Sequence, residues 1–132
     1  MGNLCEHEEK LILLFVSLLI RDRIEMEVCV VDYSRMCPKY ESAIELLGKK
    51  WSGLIIRVLL GGPRRFKDIK AQIPEMSDRM LTERIKEFEE AGILNRKVYP
   101  ETPVRIEYEL TDKGRALERV IESIQHWGET WM

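Results

Sequence analysis

The sequence predicts an α+β fold that is mostly helical, and two neighbouring patterns lead to this prediction. Residues 77–92 place apolar side chains at three- and four-residue steps between a serine and a glycine, which is typical of a capped amphipathic helix. Residues 94–110 then alternate apolar and polar side chains, the period of two that marks a half-buried hairpin. Further helical patterns precede and follow this unit.

The composition is consistent with one domain, and the charge is distributed unevenly along the chain. A chain of 132 residues can bury a core without disulfides or metal. The net charge is −2, which by itself argues weakly against a nucleic-acid partner. Residues 49–105, however, hold 13 Lys and Arg against 8 Asp and Glu, whereas both ends are acidic. This pattern favours one face built for phosphates, and the alternative is chance combined with solvated helices.

The amino-terminal residues 1–35 form a separate extension in this interpretation, and residues 36–132 form the main domain. Residues 11–20 are a ten-residue apolar run, too short for a bilayer, which needs ~20 residues. The flank before the run is acidic and an Arg-Asp-Arg triplet follows it, so it does not resemble a signal peptide. We expect a cytoplasmic protein without a membrane contact. The run is expected to form a helix that packs against a partner subunit, unless translation begins at Met26 or Met36.

Three helices are predicted between residues 38 and 73. Pro38 suits a first helical position, with Cys37 ahead of it, and Gly48 marks the end of that helix. Residues 51–60 are strongly apolar and are expected to form the centre of the core. A short third helix over about residues 66–73 directs Arg65 and Lys67 outward and stops before a proline.

Ser77 is the predicted N-cap of the next helix, which completes a helix-turn-helix with the one before it. A helix of about fifteen residues is ~22 Å long, and its width suits a major groove ~12 Å across. Arg79 can bond guanine with two hydrogen bonds, and the Thr82 methyl group can contact thymine. The alternative is a surface helix with ordinary salt links. The outer face carries Asp78, Arg79, Thr82, Glu83 and Lys86.

A hairpin directly behind a helix-turn-helix is the arrangement of a winged-helix DNA-binding domain. Pro100 and Pro103 stiffen the predicted tip, and Lys97 and Arg105 flank it, where they can contact backbone phosphate or the minor groove. The predicted DNA-binding residues are therefore Arg65, Lys67, Ser77, Asp78, Arg79, Thr82, Glu83, Lys86, Lys97 and Arg105.

Thr111 caps a predicted last helix that runs to about residue 131. Its apolar stripe is long for the remaining core, so we expect it to be the dimerisation helix. A two-fold dimer presents two reading helices one turn of DNA apart, ~34 Å, and suits a pseudo-palindromic operator in double-stranded DNA. The predicted dimer residues are Leu117, Val120, Ile121, Ile124 and Trp127.

Residues 36–127 resemble the HxlR family of winged-helix transcriptional regulators, which are related to the MarR type. The segments that carry the resemblance are Cys37-Pro38, LLGKKW (46–51), LLGGPRRFKDI (59–69), MLTERIKEFEEAGIL (80–94) and VYPETPVRIEYELTDKGRAL (98–117). CPKYESA, KKWSGLII and PETPVRIEY are most similar to the thiol-sensing, quinone-responsive repressors of that family. The resemblance implies a homodimeric repressor with an amino-terminal cysteine switch. Residues 1–35 exceed the short amino-terminal arm usual in the family.

Cys37 has the physical setting of a reactive thiol. A cysteine ahead of a helix lies beside unpaired N–H groups and the positive end of the helix dipole, which stabilise the thiolate. Lys39 adds positive charge and Glu41 opposes it. The thiolate reacts with electrophiles and oxidants, so Cys37 is the candidate redox sensor. The alternative is a small capping residue without a redox task.

Cys29 is the candidate resolving thiol, in the partner subunit, because of its proximity in sequence. No cofactor or metal is expected, since Cys5, His7, Cys29, Cys37 and His126 lack a recognised ligand spacing. No catalytic motif is present either, so we do not expect an enzyme. Two other functions remain open from the sequence: a winged-helix regulator that answers to a small ligand without redox control, and a winged helix that binds another protein.

Overall fold

The computed structural model describes residues 32–132. The predicted helix over residues 11–20, together with Cys5, His7 and Cys29, therefore lies outside the described residues. The chain divides between Met36 and Cys37, and all elements below belong to the unit that begins at Cys37. None of the helices in the described part is long and apolar enough to cross a bilayer.

The predicted mostly helical α+β fold is confirmed, with a winged helix-turn-helix at its centre. Its two strands pair antiparallel, with Leu94 opposite Leu110 and Tyr99 opposite Arg105. In chain order the elements are α1 (Pro38–Gly48), α2 (Ser52–Leu60), α3 (Phe66–Gln72), α4 (Asp78–Glu90), β1 (Leu94–Tyr99), β2 (Arg105–Leu110), α5 (Asp112–Arg115) and α6 (Glu118–Trp131).

The core forms around α2, as the sequence predicts. Ile55 and Ile56 are fully buried and Leu59 nearly so, whereas Leu54 lies on the outer side of the helix. Each large aliphatic side chain buried in this way contributes roughly 1.5–3 kcal/mol of transfer free energy. The helices α3 and α4, both strands and α6 close over α2 with Ile69, Ile73, Met76, Leu81, Ile85, Phe88, Ile93, Leu94, Leu110 and Ile121.

Helix α1 begins at Pro38 as predicted but buries none of its residues. Leu46 and Leu47 are partly buried against the core, whereas Tyr40 and Ile44 are 60% and 49% exposed. Among the described residues, α1 therefore leaves much of its apolar surface uncovered.

The hairpin is attached to the chain segment before α3 by a third backbone pairing. Arg64 donates its N–H to the Tyr108 carbonyl at 3.0 Å and accepts the Tyr108 N–H at 2.8 Å. This pairing fixes the position of the wing relative to α3, because Arg64 is two residues before the start of that helix.

The last helix is interrupted, although the sequence predicts a continuous one. Thr111 caps α5 as expected, since its hydroxyl accepts the N–H of Gly114. The Leu117 N–H then bonds the Gly114 carbonyl at 3.1 Å, three residues back, and α6 starts only at Glu118. A three-residue step tightens the turn and separates the two helices.

The predicted dimer stripe needs a correction, because part of it belongs to the core of its own chain. Ile121 is only 8% exposed and so offers little of its side chain to a second subunit, whereas Leu117 is only partly buried against the core. Ile121 faces inward because α6 packs on α2. Val120, Ile124 and Trp127 stay exposed, at 41%, 58% and 58%.

Candidate nucleic-acid interface

Helix α4 has the boundaries that its capping residues predict. The Ser77 hydroxyl accepts the Met80 N–H at 3.2 Å, and Gly92 adopts a φ of +71° just after the helix ends. The ammonium group of Lys113 donates a hydrogen bond to the Ala91 carbonyl at 2.7 Å and so satisfies one of the carbonyl groups at the carboxyl end of α4. The helix is therefore held at both ends while its inner side packs on the core.

The predicted reading face of α4 is exposed along its first turns. The Arg79 side chain is 90% exposed, and its Nε lies 3.2 Å from Oε1 of Glu83. This bond uses only the Nε–H, so the two terminal nitrogens remain available for a two-bond contact with guanine. Thr82 donates its hydroxyl to the Asp78 carbonyl at 2.8 Å, which leaves its methyl group for an apolar contact. Lys86 is exposed on the same helix.

The helix-turn-helix and the wing meet at a groove of about 540 Å³. Arg65, Phe66 and Lys67 line it from the start of α3, and residues 101–106 line it from the wing. The structure therefore brings two of the predicted DNA-binding cations, Arg65 and Lys67, beside the tip of the hairpin. Helix α3 is also joined to α4 by an ion pair, since Lys70 Nζ lies 3.8 Å from the carboxylate of Asp78.

The two predicted wing cations are both paired with acidic residues. Lys97 Nζ lies 2.6 Å from Oε1 of Glu109, and this hydrogen bond raises the pKa of Lys97. Arg105 lies 4.2 Å from the centre of the Tyr99 ring and forms ion pairs with Glu101 at 3.3 Å and Glu107 at 3.5 Å. Neither is a free cation in this state.

The excess of basic residues counted over positions 49–105 does not extend to the wing or to α4. Residues 94–110 contain three basic and three acidic residues, so the hairpin is neutral as a unit. The basic stretch of residues 49–105 ends at the start of β2 and leaves out Glu107 and Glu109, which pair with Arg105 and Lys97. Helix α4 has three basic and five acidic residues. Phosphate contacts are therefore expected mainly from residues before and within α3, and base contacts from the first turns of α4.

Two charged residues were missed because each resembled an ordinary surface cation in the sequence. The Arg84 side chain is only 12% exposed and donates to the Lys50 carbonyl at 3.1 Å. Its three-residue spacing to Glu87 was the available signal, although such pairs are common on helices. Arg96 is exposed on β1 and has no ion pair within the described part of the chain.

Cys37 is exposed and occupies the N-cap position of α1. The backbone N–H groups of Tyr40 and Lys39 lower the pKa of its thiol; desolvation opposes them, and the charge of Lys39 adds the smallest lowering effect. The thiolate fraction near neutral pH is therefore larger than for an ordinary cysteine. No three His, Cys, Asp or Glu side chains among residues 32–132 come together as metal ligands.

A helix-turn-helix whose second helix is exposed and is followed by a two-stranded wing defines the winged-helix class of DNA-binding regulators. Residues 46–132 match the HxlR-like helix-turn-helix family, and the chain belongs to this family. It is 55% identical over 94 residues to the HTH-type transcriptional regulator YodB of Bacillus subtilis (strain 168). That alignment covers 71% of this chain and 84% of YodB. The protein is thus a transcriptional regulator and not an enzyme.

Solved structures of similar proteins have the same fold. The reduced form of YodB from B. subtilis has a TM-score of 0.67 and 54% identity, over 74% of this chain and 95% of YodB. The quinone-bound form of YodB has a TM-score of 0.64 and 49% identity, over 73% and 100% of the two chains. The redox regulator HypR in its oxidised form has a TM-score of 0.69 and 35% identity, over 73% and 98%.

Proposed function

We propose that this protein is a homodimeric repressor that releases a pseudo-palindromic DNA operator when an electrophile or oxidant modifies Cys37. The observation that carries the proposal is the exposed Cys37 thiol at the amino end of α1, with its pKa lowered by backbone N–H groups. A thiolate that is both exposed and stabilised reacts selectively with such compounds.

The relatives support the same kind of effector. YodB is known in a reduced and in a quinone-bound form, and HypR is a redox regulator known in an oxidised form. We extend this property to the present chain because its own thiol has the chemical setting that such a response needs.

Two reactions of Cys37 are chemically balanced. With a quinone, the thiolate sulfur forms a bond to a ring carbon and the displaced electron pair moves to the oxygens. The attacked carbon then loses its hydrogen as a proton, and the two oxygens take up two protons, a net uptake of one from solvent, to give a hydroquinone thioether. With diamide, the thiolate first adds to the N=N bond. A second thiol then attacks the Cys37 sulfur and displaces the hydrazine. The products are a disulfide and a hydrazine, so two thiols are oxidised while the diamide gains two electrons and two protons. The second thiol is a small thiol or Cys29 of the partner subunit.

The exposed apolar surface supports the homodimer. The helix α6 presents Val120, Ile124 and Trp127, and α1 presents Tyr40 and Ile44, to solvent in the single chain. Exposed apolar residues of this number on two helices are typical of a subunit contact. An Ile124→Asp variant is expected to lower the mass measured by light scattering from that of a dimer to that of a monomer. A variant that stays dimeric would remove α6 from the proposed contact.

The decisive experiment is DNA release by the wild type and by Cys37→Ser, measured by fluorescence anisotropy before and after diamide or a quinone. The duplex is one selected from a random pool by the reduced wild-type protein. We expect Cys37→Ser to bind DNA normally and to stay bound after treatment, whereas Cys5→Ser, the matched control, is released like the wild type. Release of Cys37→Ser would contradict thiol sensing through this residue and favour a regulator that answers to a small ligand.

Salt dependence tests whether DNA is the partner at all. A protein that contacts several phosphates loses affinity by ~10³ or more between 50 and 200 mM salt. A winged helix that instead binds another protein would show no such loss on duplex DNA.

A further inference from the structure

The short turn between α1 and α2 contains the single non-glycine residue with a positive φ in the described part of the chain. Trp51 has a φ of +76° and precedes the first residue of α2. A left-handed conformation is unfavourable for a bulky residue and persists only where the surroundings hold it. The turn is therefore a strained segment that needs support from outside.

The recognition helix α4 supplies this support. Arg84 donates from Nε to the Lys50 carbonyl at 3.1 Å, and its Nη1 lies 2.8 Å from Oε2 of Glu87. The other oxygen of Glu87 accepts a hydrogen bond from Lys49 at 3.1 Å. Lys50 Nζ in turn lies 4.7 Å from the centre of the Trp51 ring. These five residues, Lys49, Lys50, Trp51, Arg84 and Glu87, form what we name the turn cluster.

The turn cluster is more than a pair of surface charges. Arg84 is 12% exposed and Glu87 is 34% exposed, so both are partly removed from solvent. Desolvation acts to raise the pKa of Glu87, but the hydrogen bond from Lys49 and the charge of Arg84 outweigh it and lower that pKa. Glu87 is thus ionised, and it joins one cation of the turn to one cation of α4.

The turn cluster lies between Cys37, the residue whose modification is the proposed signal, and the α4 face that carries Arg79. Cys37 is the N-cap of α1, α1 ends at Gly48, and the turn follows directly. The same α4 that binds the turn through Arg84 and Glu87 presents Arg79 to solvent about one and a half turns earlier. None of the α1 residues is fully buried, and only Leu46 and Leu47 near its end are partly buried against the core, so α1 is joined to the core mainly at the end that precedes the turn.

We infer that Arg84 and Glu87 are positioning residues that couple α1 to the reading face of α4 through the strained turn. This inference rests on the proposed function, since it concerns how a change at Cys37 reaches the DNA. A displacement of α1 moves the Lys49–Trp51 turn, and the two α4 side chains bound to that turn transmit the displacement to α4.

The test compares Glu87→Gln with Glu90→Gln, which removes the same charge from an exposed position of α4 that has no ion pair within residues 32–132. DNA affinity is measured by anisotropy on the selected duplex for reduced protein and for protein alkylated at Cys37. The readout is the ratio of these two affinities. We expect the ratio to fall by about three- to tenfold in Glu87→Gln and to equal the wild-type ratio in Glu90→Gln. Lys49→Met, which removes the other partner of Glu87, is expected to act like Glu87→Gln and serves if that variant does not fold.

The outcomes separate the inference from the proposed function. A purely structural role for the cluster would lower the unfolding free energy of Glu87→Gln without changing the affinity ratio, and this result would overturn the inference alone. A wild-type protein whose DNA affinity does not respond to Cys37 alkylation would overturn the proposed function as well.

Discussion

The ammonium nitrogen of Lys97 lies 2.6 Å from Oε1 of Glu109, on the facing strand of the wing. Lys97 stands directly opposite Glu107 in the register, so Glu109 is its diagonal neighbour. The Glu109 side chain is 17% exposed and that of Lys97 is 50% exposed. Lys97 is therefore held to a largely buried carboxylate, and this ion pair competes with a phosphate for its ammonium group.

Glu109→Gln is expected to release Lys97 for DNA. Binding to a duplex of arbitrary sequence should strengthen, and the plot of log affinity against log salt should steepen by ~0.9 for one added phosphate contact. Anisotropy titrations over a range of KCl concentrations measure both quantities. The control, Glu129→Gln, removes the same charge from α6 and should leave the slope unchanged. An unaltered slope in Glu109→Gln would mean that Lys97 does not reach the DNA.

Arg79→Ala is expected to weaken binding to the selected duplex by ~1–3 kcal/mol while leaving the fold intact. The reason is the exposed guanidinium on the first turn of α4, whose terminal nitrogens are not used by Glu83. Binding to an unrelated duplex should change much less. Arg57→Ala removes an exposed cation from α2 and is the matched control. Equal losses on both duplexes would make Arg79 a phosphate contact and not a base contact.

Alkylation of Cys37 by iodoacetamide is expected to reach half its maximal rate at a lower pH in the folded protein than in urea. The backbone N–H groups of Tyr40 and Lys39 lower the pKa of the folded thiol, and these groups are not held in place once the chain unfolds. The linked stabilisation of the fold is present above the unfolded pKa and is lost as the pH falls through the folded pKa. Peptide mass spectrometry gives the rate for Cys37 alone. Lys39→Gln should shift the midpoint only slightly, since its charge is the smaller cause; coincident midpoints in folded and unfolded protein would contradict the prediction.

Gly114→Ala is expected to destabilise the protein by ~1–3 kcal/mol or more. A Cβ atom at this position would collide with the Ile93 carbonyl oxygen and approach Ile93 Cγ2 and Leu110 Cδ2 to 3.1 Å. Gly128→Ala is the control, because no atom lies within 4 Å of its Cβ position and alanine favours a helix interior by ~0.5–1 kcal/mol. Urea unfolding at one fixed protein concentration compares the two. A stable Gly114→Ala variant would show that the α5–hairpin contact can open.

The limits of most elements follow from residues close in sequence, so the sequence predicted them well. Ser77 and Gly92 bound α4 because capping and positive-φ requirements act within a few residues. Pro38 begins α1 for the same reason. The start of α2 differs by one residue, because Trp51 adopts a left-handed conformation that α4, distant in sequence, holds in place.

The candidate site was only partly predictable. The exposed positions of α4 follow from helical periodicity, which separates an inner from an outer face. Periodicity does not show which part of the molecule covers the inner face of a helix. The sequence therefore predicts a subunit contact for Ile121 of α6, whereas α2 of its own chain covers this residue. The sequence also could not show that Arg84 is nearly buried, because its partner carbonyl is that of Lys50.

The residues alone thus determined the class of fold, the order of helices and strands, and the exposed thiol at the start of α1, since all of these depend on local backbone preferences. The tertiary structure decided which charges remain available. Lys97 and Arg105 are neutralised by glutamates across or beside them in the wing, and Arg84 and Glu87 join α4 to a distant turn. The physical reason is that Coulomb and hydrogen-bond energies depend on distances of a few ångströms, which chain order does not specify.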